Sequence, residues 1–314
     1  MLLHKILKID DGEEIFLAEE SLADLIDLPV TSEILGSEPV VVEAIEVLDG
    51  EEEEEEGEEG EEDDTGSDAG RRSRLGIALK LTEPGEVWLL LTDRYSESSP
   101  LEALPEIPRS KTVVVDERIF FEGVVEWLAV ALKDELFCEN CPVSSPPLFV
   151  PERTGTLERF LSPLIPSGGE VLEICCGSGM ATQALRRLGV RPWTCEIDSC
   201  EVCNGLKYGH LEPERSMVLD ARLLDRFFRP KHFEAVVGFM VGLIDDVNWP
   251  LWKEILVSSS ELAGEMVIYT TYTEREARMV AAALRSEGWA AEVVASPDDL
   301  GIYDQWACIG RRSG

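Results

Sequence analysis

The stretch that decides the fold is Glu170–Leu185, EVLEICCGSGMATQAL. Its first half holds a short apolar run, Val171–Cys175, whose length and flanks predict a buried strand. Its second half opens a helix over Ala181–Leu188 that Gly189 ends. Gly177 and Gly179 lie in the turn between them, and Glu173 stands near the end of the strand. In open α/β sheets ligands bind outside the carboxyl ends of the strands. Glycines at that point permit φ > 0 and let a ligand approach the backbone itself.

Working outward, strand and helix alternate. Trp193–Ile197 predicts a second strand, Ser199–Tyr208 a second helix and Ser216–Leu219 a third strand. Phe233–Phe239 and Met266–Thr270 predict a fourth and a fifth strand, and Glu274–Glu287 a helix. Repeated βα units of this kind specify a parallel sheet with helices on both faces. The final strands, Ala291–Ala295 and Gln305–Gly310, are joined only by a loop, which predicts an antiparallel pair.

Toward the N-terminus the pattern changes. Short β-branched runs at Ile15–Leu17, Val40–Val47, Leu75–Leu81, Val87–Leu91 and Lys111–Val115 predict strands. Ser21–Leu28 predicts a helix that Pro29 stops, and Glu122–Phe137 an amphipathic one. Between the second and third runs, which are expected to be neighbours, sits EEEEEEGEEGEEDDTGSDAG (51–70). Such a tract repels itself and has nothing to bury, so residues 49–70 are expected to be a disordered loop. Residues 138–155, with four prolines, mark a hinge, and Thr156–Ile165 predicts a short helix after it.

The segment Glu173-Ile174-Cys175-Cys176-Gly177-Ser178-Gly179 resembles motif I of class I S-adenosylmethionine-dependent methyltransferases, an acid followed by alternating glycines. It departs from that pattern at the first glycine, where Cys175 stands. WTCEID ends the second strand with Glu196, 23 residues after Glu173, followed by Ile197. VLDA ends the third with Asp220 and Ala221. The resemblance, which covers Pro151 to Arg311, implies that Glu196 holds the two ribose hydroxyls and that Asp220 and Ala221 lie beside the adenine. It further implies that Glu173, Cys175, Gly177, Ser178, Gly179 and Ile197 complete a site for S-adenosylmethionine. The implied architecture is α/β: a doubly wound, seven-stranded, Rossmann-like methyltransferase domain over 156–314. A smaller β-rich α+β domain (1–138) and a linker (139–155) precede it. A dinucleotide fits this turn poorly, because G-x-G-x-x-G would need a third glycine where Thr182 stands.

The acceptor is not legible. Methyl transfer rests on in-line positioning, and it needs a general base only when the nucleophile carries a proton. Gly238-Phe239-Met240-Val241 stands where planar-nitrogen methyltransferases carry a D/N-P-P-Y/F tetrad, and the Pro-Cys of cytosine C5 enzymes is missing too. Phe239, Met240 and Trp249 suggest either an apolar acceptor pocket or a packed strand end. Asp245, Asp246, His210, Tyr269 and Tyr272 are the ionisable groups near the later strand ends. An aminopropyltransferase of the same fold and a non-catalytic scaffold subunit stay open as alternatives.

Charge narrows the partners. The chain of 314 residues carries a net charge of −35, and 14 acids with no base fall between Asp49 and Asp68. A chain this acidic repels phosphate backbones, so nucleic acid is disfavoured and a small metabolite or a protein is the preferred acceptor. A proteome adapted to high internal salt would produce the same balance. No stretch approaches the ~20 apolar residues of a membrane span, and no secretory signal is evident, so the expected location is cytoplasmic. The N-terminal domain is expected to take the substrate, a partner subunit or a second copy of the chain. Cys138-x-x-Cys141 and Cys200-x-x-Cys203 have a spacing that can chelate zinc. The gap between the pairs is long for a zinc ribbon, and Cys200 and Cys203 fall one turn apart on a predicted helix, so no metal site is assigned.

Overall fold

The computed structural model describes residues 1–37, 40–50, 72–82, 86–102, 110–134, 136, 146–296 and 301–312. The acidic loop from residue 51 onward, Cys138, Cys141 and residues 139–145 of the expected linker lie outside the described residues. The chain divides into two units, Met1–Leu128 and Ala129–Gly314.

In the first unit α1 (Leu2–Leu7) leads to β1 (Glu14–Leu17), α2 (Leu22–Asp27) and α3 (Pro29–Gly36). β2 (Val41–Asp49), β3 (Arg74–Leu81), β4 (Val87–Leu91) and β5 (Ser110–Val115) follow, then α4 (Glu117–Lys133), in which the division between units falls. The five strands form one sheet in the order β1-β4-β3-β2-β5. β2 and β3 pair antiparallel, as neighbours, while the outer pairs β1–β4 and β2–β5 are parallel. Pro29 does not simply stop a helix. Leu28, left-handed at φ 52, ends α2, and Pro29 opens α3, because proline lacks only an N–H that a first turn leaves unbonded anyway.

In the second unit α5 (Pro151–Leu161) precedes β6 (Val171–Ile174), α6 (Thr182–Arg187), β7 (Trp193–Glu196), α7 (Ser199–Lys207) and β8 (Ser216–Val218). β9 (Phe233–Gly238), α8 (Trp249–Glu261), β10 (Ala263–Thr271), α9 (Glu274–Ser286), β11 (Trp289–Ala295) and β12 (Trp306–Arg312) complete it. α5 begins five residues before the expected Thr156, again with proline in its first turn. The sheet order is β11-β12-β10-β9-β6-β7-β8, parallel from β8 to β10, with β12 antiparallel to both its neighbours. The first three strands step outward from β6 and the fourth returns to its other side. The carboxyl ends of β6 and β9 therefore bound the crevice of a doubly wound sheet.

Alternation along the strands builds a core on each face. Val171, Ala235, Val237 and Ile268 pack with Leu157 and Leu161 of α5 and Ala184 and Leu185 of α6. On the opposite face Tyr269 donates to the Leu256 carbonyl of α8 at 3.1 Å, and Gly310 of β12 leaves room for Val267 and Leu284. Among the described residues no helix is long and apolar enough to cross a membrane.

Candidate functional site

Glu173 sits two residues after Val171 on a strand, so its side chain faces the same core layer, beneath the first turns of α5 and α6. It is 1% exposed, and its Oε2 has no hydrogen-bond partner. Burial pushes its carboxyl up to about 8. The Thr182 hydroxyl and the Arg153 guanidinium pull it down only in part, and Asp304 adds to the rise.

The turn after Glu173 is shaped by three residues with positive φ: Cys175 (52°), Gly177 (54°) and Gly179 (82°). They do different things. A Cβ on Gly177 would meet nothing within 4 Å, so this residue opens the turn to a ligand. A Cβ on Gly179 would lie 2.7 Å from Leu211 Cδ2, so that glycine serves packing instead. Cys175 holds the same left-handed conformation with a side chain. Burial, with Glu196, Asp220 and Glu173 nearby, pushes its thiol up to about 12, and burial raises Cys176 as well. Both stay protonated, which removes them as nucleophiles.

The turn is tied to the next strand end. Glu196 accepts from the Gly177 amide at 3.0 Å through Oε2, and from the amides of Ile197 (2.9 Å) and Asp198 (3.1 Å) through Oε1. Its carboxylate is thus fixed before any ligand arrives. Asp198 caps α7, accepting from the Cys200 amide at 2.9 Å. Ile197 is 66% exposed beside this acid, an unusual place for a large apolar side chain. One strand further, Asp220 caps the short helix Ala221–Arg226 and receives the Arg222 guanidinium at 2.6 Å. Arg222 holds the Asp220 carboxyl below its ordinary value. Ala221 is buried.

A cleft of about 420 Å³ opens at this turn, lined by Glu173, Cys175, Cys176, Gly177, Ser178, Met180 and Ala181. Pro146, Pro147 and Leu148 line it, as do Arg153, Glu201, Asn204 and Phe239. Of the expected residues it gathers Glu173, Cys175, Gly177 and Ser178. Glu196 reaches it through the Gly177 amide, whereas Gly179, Ile197, Asp220 and Ala221 do not line it.

Arg153 and Asp304 are not among the expected site residues. They form a buried pair, Nε to Oδ2 at 2.6 Å and Nη2 to Oδ1 at 3.2 Å, and Thr270 donates to the same Oδ1. Arg153 does carry a signal, because Arg153, Leu157 and Leu161 recur every fourth residue along one buried face of α5. A charge on an apolar stripe points to a buried partner. Asp304, 151 residues away, carries no such mark. Asn204, whose Oδ1 is buried without a partner in the same cleft, was equally silent.

On the acceptor side Phe239 lines the cleft, while the Met240 sulfur accepts from the Asp304 amide at 2.9 Å. Tyr269, one of the ionisable groups singled out near the strand ends, does not reach the cleft. It lies within β10, is fully buried, and bonds Ser259 and Leu256 of α8. Tyr272 is 42% exposed, Asp246 pairs with Arg275, and the His210 ring stands 6.0 Å from that of Phe149. Cys200 is exposed and Cys203 buried, so the two do not converge. Among the described residues no group of three or more His, Cys, Asp or Glu could hold a metal ion.

Neither a protein-family model nor a curated protein sequence matches the chain. Solved structures do. An S-adenosylmethionine-dependent methyltransferase from Archaeoglobus fulgidus is similar at 12% identity, covering 51% of this chain and 93% of that one, with a TM-score of 0.39. Magnesium protoporphyrin IX methyltransferase from Synechocystis PCC 6803, solved with S-adenosylmethionine bound, is similar at 14% identity. That match covers 59% of this chain and 97% of that one, with a TM-score of 0.39. Part of the chain is thus similar to methyltransferases of this cofactor class.

Proposed function

We propose that Ala129–Gly314 binds S-adenosylmethionine and transfers its methyl group to an acceptor, a small metabolite or a protein in preference to RNA. The observation that carries this reading is the charge of the cleft. Glu173 and Glu201 line it, Glu196 is bonded to its turn, and Arg153, the one base in its lining among the described residues, is already held by Asp304. A pyrophosphate would meet Glu196 and Glu201 with no free base beside them among the described lining residues, whereas a ligand with positive charge and no phosphate is complemented by them, and by Glu173 once a cation ionises it.

The residues fit such a ligand in two respects. Glu173 Oε2 is buried without a hydrogen-bond partner, and the side of Gly177 where a Cβ would stand is open. In this reading Glu196 accepts from the two ribose hydroxyls, with its carboxylate oriented beforehand by three backbone amides. Ile197, Asp220 and Ala221 border the adenine, and Cys175, Gly177, Ser178 and Gly179 shape the turn. When bound, S-adenosylmethionine supplies an electrophilic methyl on a sulfonium. The chain's own task is to orient that methyl and to exclude water, with Phe239 and Leu148 as apolar walls. Choice of acceptor falls to Met1–Leu128, since a cofactor domain alone rarely fixes it.

Calorimetric titration of wild-type protein and Glu196→Ala with S-adenosylmethionine tests the reading. The substitution is expected to weaken binding tenfold or more, about 1.4 kcal/mol. Absence of binding to wild-type protein cleared of retained ligand would turn the reading to a scaffold that kept the fold.

A further inference from the structure

Glu173 is the most anomalous side chain of the cleft, and its surroundings define what it can do. Arg153 of α5, Thr182 of α6, Asp304 ahead of β12, and Cys175 and Cys176 of the turn are the polar and titratable groups that bear on it. Among the described residues Arg153 is the single cation of this set, and both its contacting nitrogens are spent on Asp304, at 2.6 and 3.2 Å. From Glu173 that pair is nearly neutral. An ionised Glu173 in the empty cleft would be a buried charge with no counter-ion, which is expensive. A second acceptor, Asn204 Oδ1, also lacks a donor in the same cleft.

We infer that Glu173 keeps its proton while the cleft is empty and releases it as a cationic centre of the ligand takes the cleft, so that this one side chain selects the ligand by charge. The inference rests on the S-adenosylmethionine reading and deepens it. The cationic centre has two sources in that molecule, the sulfonium and the α-ammonium.

The sign of the pH dependence follows. The empty-site carboxyl lies up near 8 through burial. A cation beside it favours the charged form and lowers that value. Between the bound-state value and about 8, each ligand bound expels close to one proton, so affinity rises with pH, by up to tenfold per unit. Above about 8 the carboxylate is already ionised, and affinity levels off if the sulfonium is the centre but falls if it is the α-ammonium, which loses its own proton there. A ligand without positive charge gains nothing from the ionisation, and its affinity does not rise with pH.

The test is calorimetry on the full chain at pH 7 in phosphate and in Tris, whose different ionisation enthalpies report the protons exchanged. Affinities are also measured from pH 6 to 9. The probes are S-adenosylmethionine (both cationic centres), S-adenosylhomocysteine (ammonium only) and 5′-methylthioadenosine (neither). For wild-type protein we expect close to one proton released per S-adenosylmethionine, none with 5′-methylthioadenosine, and a five- to tenfold rise in affinity from pH 6 to 7. Release that persists with S-adenosylhomocysteine assigns the effect to the ammonium, and release lost with it to the sulfonium. Glu173→Gln, isosteric and uncharged, is expected to abolish the release and flatten the profile. Equal release by S-adenosylmethionine and 5′-methylthioadenosine, or a pH profile unchanged in Glu173→Gln, overturns the inference and leaves the cofactor reading intact. The wild-type comparison decides even if Glu173→Gln binds too weakly to titrate. Failure of S-adenosylmethionine to bind at any pH overturns both.

Discussion

Cys175 occupies a left-handed conformation, φ 52, at the position where the motif it resembles carries glycine. A side chain there costs roughly 1–2 kcal/mol, from the contact of Cβ with the following carbonyl. Cys175→Gly relieves that strain. It also gives the unfolded chain more freedom, worth about 0.4–1 kcal/mol against folding, and it removes a partly buried thiol. The terms nearly cancel, so urea unfolding is expected to place the glycine variant within about 1 kcal/mol of wild type. Cys175→Val is different, because a β-branched residue is a true outlier at positive φ. It is expected to lose roughly 2 kcal/mol or more. A valine variant as stable as wild type would mean that the turn does not hold this conformation. Glu173 shows the opposite economy at the same turn. Its carboxyl is held in the neutral form by burial.

The turn also depends on how α7 meets it. Gly205 lies inside that helix, where alanine would be favoured by about 1 kcal/mol on propensity alone. Contact reverses the sign. A Cβ at residue 205 would stand 2.9 Å from the Ser178 carbonyl and 2.6 Å from Leu211 Cδ1, and neither backbone nor a buried leucine yields cheaply. Gly205→Ala is expected to lower stability by about 1–3 kcal/mol, as overpacking does. It should also weaken S-adenosylmethionine binding through displacement of Ser178, while an exposed alanine substitution elsewhere on α7 does neither. Melting temperature and titration together check this. Elements with a strong pattern were legible from the chain: β6 to β10, α9, and the antiparallel pair β11–β12. α8 was not legible. Its last turns are Ser258, Ser259 and Ser260, residues that favour turns in isolation. Here their hydroxyls bond back to the carbonyls of Glu254, Ile255 and Val257. Glu173, Gly177 and Glu196 could be found because they stand at strand ends in a local pattern. Arg153 with Asp304, and Asn204, acquire meaning only from tertiary contact.

At the scale of the whole chain, 63 acids face 28 bases, so 35 negative charges have no partner even if every base is paired. Two effects of salt then compete. Screening weakens the exposed pairs, such as Lys111–Glu43 and Arg275–Asp246, each worth about 0–1 kcal/mol at best. Screening also removes repulsion among the uncompensated acids, which destabilises the compact state. The second effect covers more charges and acts over longer distances, since the Debye length falls from roughly 10 Å at 0.1 M to 3 Å at 1 M. The buried Arg153–Asp304 pair is screened little in either case. The midpoint of the first thermal transition is therefore expected to rise on going from 0.05 to 1 M NaCl. The gain should be roughly 3–6 °C, the equivalent of about 1 kcal/mol for Met1–Leu128, the unit that carries most of the excess. Sodium chloride is the right salt for this test, because sulfate would strengthen apolar burial as well and confound the reading. A midpoint that fell with salt would mean that the surface pairs, and not the excess of acids, dominate the electrostatics of the fold. The anionic cleft would then have to be explained by its own residues alone, without a chain-wide field behind it.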